Sequence, residues 1–329
     1  AMQQAQSILQ LQDPDRRDDN LATAATMPSL LLKGKQPRLI DEWQDAPTLW
    51  DAVRIAVDKS GGLPGQYILT GSNTVDKDKI YHSGTGRITR MKMYPMSLWE
   101  SGDSSGEISL KALFDNPDYD IDGITSQLEI PELIRVACRG GWPATLQMTE
   151  AAGMVIASDY VNSVCEVDIL SIDKRQRNPK IARQIMRSYA RNISTIAKRT
   201  SIFADITSSG DLTLSIDTFD DYIRMLEKLY VIQDIDAWSP AIRSKTAIRS
   251  MPKRGFSDPS IAVAAMGVNA EALETQLKTF GFIFEQMCAR DLRAYTPGFG
   301  SQLSYYRDRY GSLTFPLSGF VLLALQVHE

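Results

Sequence analysis

Apolar positions along the chain follow two periods, and they switch most clearly between Pro37 and Asn73. Leu39-Ile40 is a short apolar run, and Leu49, Trp50, Val53 and Val57 then recur at helical spacing. Tyr67-Ile68-Leu69 is a second short run. The pattern predicts strand, helix, strand, with the helix face covering the sheet. The first strand ends in Asp41-Glu42 and the second in Thr70-Gly71-Ser72-Asn73. Parallel strands need a crossover helix, and ligand sites in such sheets form beyond the strand C-terminal ends. Upstream, residues 3–11 read as a helix, DPDRRDDN as an acidic loop and the segment from Leu21 as a short helix. Downstream, Arg87-Ile88-Thr89-Arg90-Met91-Lys92-Met93 alternates as a half-exposed strand would.

The remainder is mostly helical in pattern. Helices are expected at 110–114, 131–139 and 151–170. A further one starts at Asn178-Pro179 and carries Ile181, Ile185, Met186 and Tyr189 on one face, and another starts near Thr218. Residues 230–235 read as a strand that pairs with 241–249 as a hairpin, and three helices with a hairpin suggest a winged helix. Asp258 is placed to cap a helix with Pro259 at its first position. Residues 280–294 form a strong helical pattern, and Tyr305–Asp308 reads as a strand. The domains expected are 1–123, 124–177, 178–254 and 255–329.

Composition narrows the chemistry. With 329 residues and 43% hydrophobic positions, the chain exceeds the size at which one core usually splits. Two histidines disfavour a zinc site or a His-based hydrolase. The three scattered cysteines, Cys138, Cys165 and Cys288, suit a reducing compartment, so a cytoplasmic location is expected. No apolar run is long enough to span a bilayer. The net charge of −4 is unevenly spread, because residues 178–254 hold thirteen Lys/Arg against eight Asp/Glu. Arg243, Lys245, Arg249, Lys253 and Arg254 occur there with no acid between them, the footprint of a nucleic-acid contact. Against that, the helix at 217–227 is acidic where a DNA-reading helix favours Arg or Lys.

In a nucleotide-hydrolysing sheet, Asp41 would hold Mg²⁺ and Glu42 would polarise the attacking water. The polar tip of the neighbouring strand would orient that water. A helix cap or solvated turn is the plainer reading of such a pair. The longer pattern includes PRLIDEWQ at 37–44, LWD at 49–51, QYILTGS at 66–72, HSGTGRI at 82–88 and MYPMSL at 93–98. It also includes FSDPS at 256–260 and YYRD at 305–308. It resembles the bacterial and archaeal AAA+ ATPases, P-loop NTPases that carry a C-terminal domain of unknown function. The resemblance implies an incomplete α/β P-loop core followed by a helical lid at 124–177, the winged-helix module and an α/β C-terminal region. It implies a Walker B pair at Asp41 and Glu42, sensor-like Ser72 and Asn73, and arginine fingers at Arg87 or Arg90. ATP and Mg²⁺ are the implied cofactors. A homo-oligomer is an implied partner, since a finger acting in trans needs a neighbour.

A P-loop cradles phosphate with Gly backbone N–H groups, Lys and Ser/Thr. No G-x-x-x-x-G-K-[ST] occurs in the sequence. In the family it lies just upstream of the segment matching 3–11, so it is expected directly before residue 1. The chain as it stands is therefore expected to bind no nucleotide and to be inactive. The last domain resembles a restriction-endonuclease fold, yet the residues after Gly311 lack its acid-x-Lys, leaving Glu285 and Asp308 as weak metal-site candidates. Three readings stand: an AAA+-type ATPase coupled to a DNA or protein partner, a non-catalytic DNA- or protein-binding winged-helix module, and a metal-dependent nuclease.

Overall fold

The computed structural model describes residues 1–72, 84–116, 118–171, 177–208, 214–239, 250–307, 313–318 and 324–327. The chain divides into two compact units, Ala1–Lys92 and Met93–Glu329.

The first unit is built on three parallel strands, β1 (Ser7–Gln10), β2 (Arg38–Asp41) and β3 (Tyr67–Leu69), in the order β1-β2-β3. Leu9 aligns with Ile40, and Ile40 with Leu69. Two short helices, α1 (Arg17–Thr26) and α2 (Pro28–Leu31), join β1 to β2, and α3 (Thr48–Lys59) joins β2 to β3. As the periodicity of α3 predicts, its Leu49, Val53 and Val57 are buried with Ile40, Leu9 and Leu11. A small parallel sheet with covering helices is the arrangement of a partial α/β P-loop core.

Three expectations between residues 1 and 93 are corrected. Residues 7–10 form a strand, not a helix, because pairing with β2 buries Leu9 and supplies the backbone partners that a short isolated helix lacks. The acidic stretch after it is partly helical, since Arg17, Asp18 and Asp19 open α1 and place two acids at its electropositive end. Residues 87–93 are no strand despite their alternation. They pair with no strand among the described residues, and Met91 and Met93 stand 87% exposed.

The second unit is helical. It contains α4 (Leu110–Asp115), α5 (Ile130–Arg139), α6 (Glu150–Ser163), α7 (Ile169–Ser171), α8 (Pro179–Arg191), α9 (Arg199–Thr207) and α10 (Ile216–Lys228). After these come α11 (Pro259–Met266), α12 (Ala270–Thr275) and α13 (Leu277–Tyr295). One π-helical turn, Val164–Asp168, joins α6 to α7. The segments expected as lid, winged helix and start of the last domain feed one core, which holds Ile134, Ile185, Tyr189, Phe219, Phe256, Ile261 and Ile283 together. At the C-terminal end, β6 (Leu313–Ser318) pairs antiparallel with β4 (Gln302–Leu303), β5 (Tyr306–Arg307) and β7 (Ala324–Val327).

The expected hairpin is also revised. Ile232 and Ile235 bridge antiparallel to Phe256 and Lys253, respectively, while residues 241–249 lie outside the described residues. Asp258 caps α11 as expected, its Oδ1 accepting from Ser260 N at 2.9 Å.

Candidate functional site

The acidic pair sits at the C-terminal edge of the parallel sheet, where β2 runs out. Asp41 ends the strand, and Thr70 at the tip of β3 donates its hydroxyl to Asp41 Oδ1 at 2.6 Å. The other carboxylate oxygen of Asp41 accepts no hydrogen bond from the described residues. Glu42 turns the chain in the left-handed region, with φ 56° and ψ 45°. That conformation is uncommon for a residue with a side chain and costs on the order of 1–3 kcal/mol, so it marks a place the surroundings over-determine. Trp43 N then donates to Thr70 O at 3.1 Å, tying the turn to the neighbouring strand.

The Glu42 carboxylate is held from two sides. Ser72 Oγ donates to Glu42 Oε2 at 3.1 Å, and the Gln44 amide Nε2 donates to the same oxygen. Gln44 Nε2 also lies 3.3 Å from Ser72 Oγ, closing a triangle. Gln44 Oε1 is buried without a partner, and a Cβ on Gly71 would lie 2.4 Å from it. Gly71 therefore leaves room for the amide to reach both Glu42 and Ser72. The expected roles of Asp41, Glu42 and Ser72 fall on side chains that the fold brings together. Asn73 lies outside the described residues. Gln44 is the member that sequence reading did not single out; its position two residues beyond Glu42, on the turn leaving the strand, was the available signal.

Neither expected arginine finger touches this cluster. Arg87 Nε pairs with Asp58 Oδ1 at 2.6 Å, and Arg54 reaches Asp58 Oδ2 at 3.5 Å. Asp58 is in the last turn of α3, about 12 Å along the helix from Trp50. Because α3 runs back against the strands, Arg87 is anchored toward the opposite sheet edge. Arg90 stacks over the Trp50 ring at 5.1 Å, and Trp50 in turn lies 4.9 Å from Trp43. Arg90 is thus the one of the two on the acidic side.

A metal at this edge would be held by Asp41 and Glu42; no group of three His, Cys, Asp or Glu side chains gathers among the described residues. Mg²⁺ is commonly held by one or two carboxylates plus phosphate oxygens and water, so the pair fits that ion. The oxygen of Asp41 not engaged by Thr70 is the available donor.

The basic stripe expected at 243–254 divides. Arg243, Lys245 and Arg249 lie outside the described residues. Lys253 and Arg254 are buried, each 1% exposed, and cannot face a phosphate backbone. Lys253 Nζ pairs with Glu285, and Arg254 with Asp234, which also accepts from Tyr189. The antiparallel bridges at 232–235 turn these cations inward, where internal acids neutralise them. The same pairing engages Glu285, while Asp308 lies outside the described residues. Burial pushes the Arg293 guanidinium down to about 10 while it donates to the carbonyls of Gln233 and Asp234. No helix among the described residues is long and apolar enough to cross a membrane.

Residues 2–101 match the family described as AAA domain, and residues 130–272 match a domain of unknown function (DUF8612). No curated protein and no solved structure matches the chain. The AAA match contains the sheet, its acidic edge and both candidate arginines, and the second match covers most of the helical core. The chain thus carries an AAA domain at residues 2–101, followed at residues 130–272 by a domain of unknown function.

Proposed function

We propose that the acidic edge of the AAA domain hydrolyses ATP, with Glu42 polarising the attacking water and Asp41 holding Mg²⁺. The observation that carries this reading is the carboxylate of Glu42, fixed by Ser72 and Gln44 beside an Asp41 fixed by Thr70. Two adjacent carboxylates, each braced from the next strand, suit in-line attack on a γ-phosphate better than a solvated turn does. Bound Mg²⁺ would neutralise charge on the phosphates. Ser72 sets the Glu42 rotamer, and Arg90 or Arg87 serves as finger, Arg87 toward a neighbouring copy. Hydrolysis is coupled to a DNA or protein partner through the second unit.

The 329 residues hold no G-x-x-x-x-G-K-[ST], so the chain as it stands binds Mg-ATP weakly and turns it over poorly. That absence also supports the rival, a non-catalytic binding module that keeps the ATPase sheet. Calorimetry with Mg-ATP on this chain and on one extended upstream through the preceding codons separates them. Binding by the extended chain alone, with Glu42→Gln abolishing turnover and sparing binding, supports hydrolysis at this edge. No binding by either chain leaves the interaction module.

A further inference from the structure

Helix α8 has two faces of opposite character. Ala182, Ile185, Met186 and Tyr189 are fully buried in the core of the second unit. Lys180, Arg183, Arg187 and Arg191 recur three or four residues apart on the other side and are exposed, and the helix contains no acid. That spacing lines them along one face over about 16 Å. Lys180, Arg183 and Arg187 form one wall of a cleft of about 700 Å³, with Ser158 and Asn162 of α6 beside them. The end of α11 at residues 264–267 closes the far side.

The acids near this row leave part of it uncommitted. Glu166 engages Arg183 at 2.9 Å, and Asn162 accepts from the same guanidinium. Asp205 lies 3.7 Å from Arg191. Lys180 and Arg187 make no ion pair or side-chain hydrogen bond among the described residues. Three exposed cations beside an open cleft cost the fold through mutual repulsion, and nothing in the core requires them. A row of this length exceeds what one phosphate or one carboxylate occupies, and Arg191 continues it beyond the cleft. Among the described residues no aromatic side chain lines the cleft, and they offer no base stacking there.

We infer that the exposed face of α8 is a docking surface for the phosphate backbone of a nucleic acid, bound without base reading. The segregation of positive charge into residues 178–254 of a chain with net charge −4 agrees with it. The surface is distinct from Lys253 and Arg254, which are buried. It deepens the coupling named above by giving the partner's class. It does not depend on hydrolysis, because the cleft lies wholly in the second unit.

The test is fluorescence anisotropy of the full chain without nucleotide, using a labelled duplex of about 30 base pairs and the matching single strand between about 50 and 200 mM salt. Wild type is expected to bind with an affinity that falls steeply as salt rises. Lys180→Glu with Arg187→Glu should lose about tenfold or more and flatten the logarithmic salt slope by about 2. Both sites are exposed; if circular dichroism shows the pair misfolded, Lys180→Gln with Arg187→Gln should still flatten the slope. Absence of wild-type binding to both probes at the lowest salt overturns the inference. So does an unchanged affinity and slope in the folded variant, or a loss confined to an R243Q/K245Q/R249Q variant. Displacement of the duplex by polyglutamate at equal charge concentration would assign the surface to acidic polypeptide instead and also overturn it.

Discussion

Arg290 Nη1 lies 3.2 Å from Asp258 Oδ2, and neither side chain is more than 1% exposed. Asp258 also accepts from Gly141 N at 2.9 Å, and Arg290 reaches Asp291 Oδ1 at 2.7 Å. Asp291 in turn accepts from Leu98 N at 3.0 Å. One buried guanidinium therefore ties the start of α11, the middle of α13 and two loops distant in sequence. Removing it leaves two carboxylates without their cation in a dry interior. Arg290→Ala should cost about 3–5 kcal/mol, as broken buried pairs do. Urea unfolding checks this, and a loss under about 1 kcal/mol would mean that water reaches the network.

Burial also sets how the second unit responds to alkali. It pushes the Cys288 thiol up to about 12, the Cys165 thiol to about 11 and the Tyr160 hydroxyl to about 12. An unfolded chain ionises these groups near pH 9 to 10, so above that range the unfolded state binds fewer protons than the folded one. Stability then falls as pH rises. The melting temperature should drop between pH 8 and pH 10.5, and Cys288→Ala should shallow the drop. A flat profile would contradict the burial assigned to these groups.

Lys253 separates structure from binding. Its ammonium is buried against Glu285, so Lys253→Met, which removes that cation from a buried carboxylate, should destabilise the fold by several kcal/mol, on the order of 3–5. It should leave the salt slope of nucleic-acid binding unchanged at a temperature where the variant is folded. A shallower slope would put Lys253 at the interface.

Much of the first unit was legible because its pattern and its chemistry coincide. The apolar face of α3 and the polar ends after Ile40 and Leu69 are local signals, and both sit where periodicity puts them. Residues 7–10 were misread because four residues carry too little periodicity to oppose helix and strand, and only pairing with β2 decides. Residues 87–93 show the converse, alternation without a partner strand among the described residues. In the second unit, α8 was legible by its apolar side, but its basic face looks like any solvated helix until α6 and α11 frame it. Lys253 and Arg254 looked like surface charge for the same reason: the acids that neutralise them, Glu285 and Asp234, are 32 and 20 residues away in sequence. Charge counts locate a basic segment and say nothing of which cations face inward.

The Gly71–Gln44 contact offers a test of the acidic edge that needs no nucleotide. A Cβ at residue 71 would lie 2.4 Å from Gln44 Oε1 and 3.3 Å from Trp43 Nε1, closer than such atoms sit without movement. Gly71→Ala must displace the Gln44 amide and with it the hydrogen bonds to Glu42 and Ser72. Overpacking of this kind costs about 1–3 kcal/mol. In a Gln44→Ala background the space is already vacant, so the same methyl group should cost less than half as much. The two substitutions should therefore couple by about 0.5–3 kcal/mol in a double-mutant cycle read by urea unfolding. Equal costs in both backgrounds would show that Gln44 does not occupy the space beside Gly71, and the bracing of Glu42 from that side would fall with it.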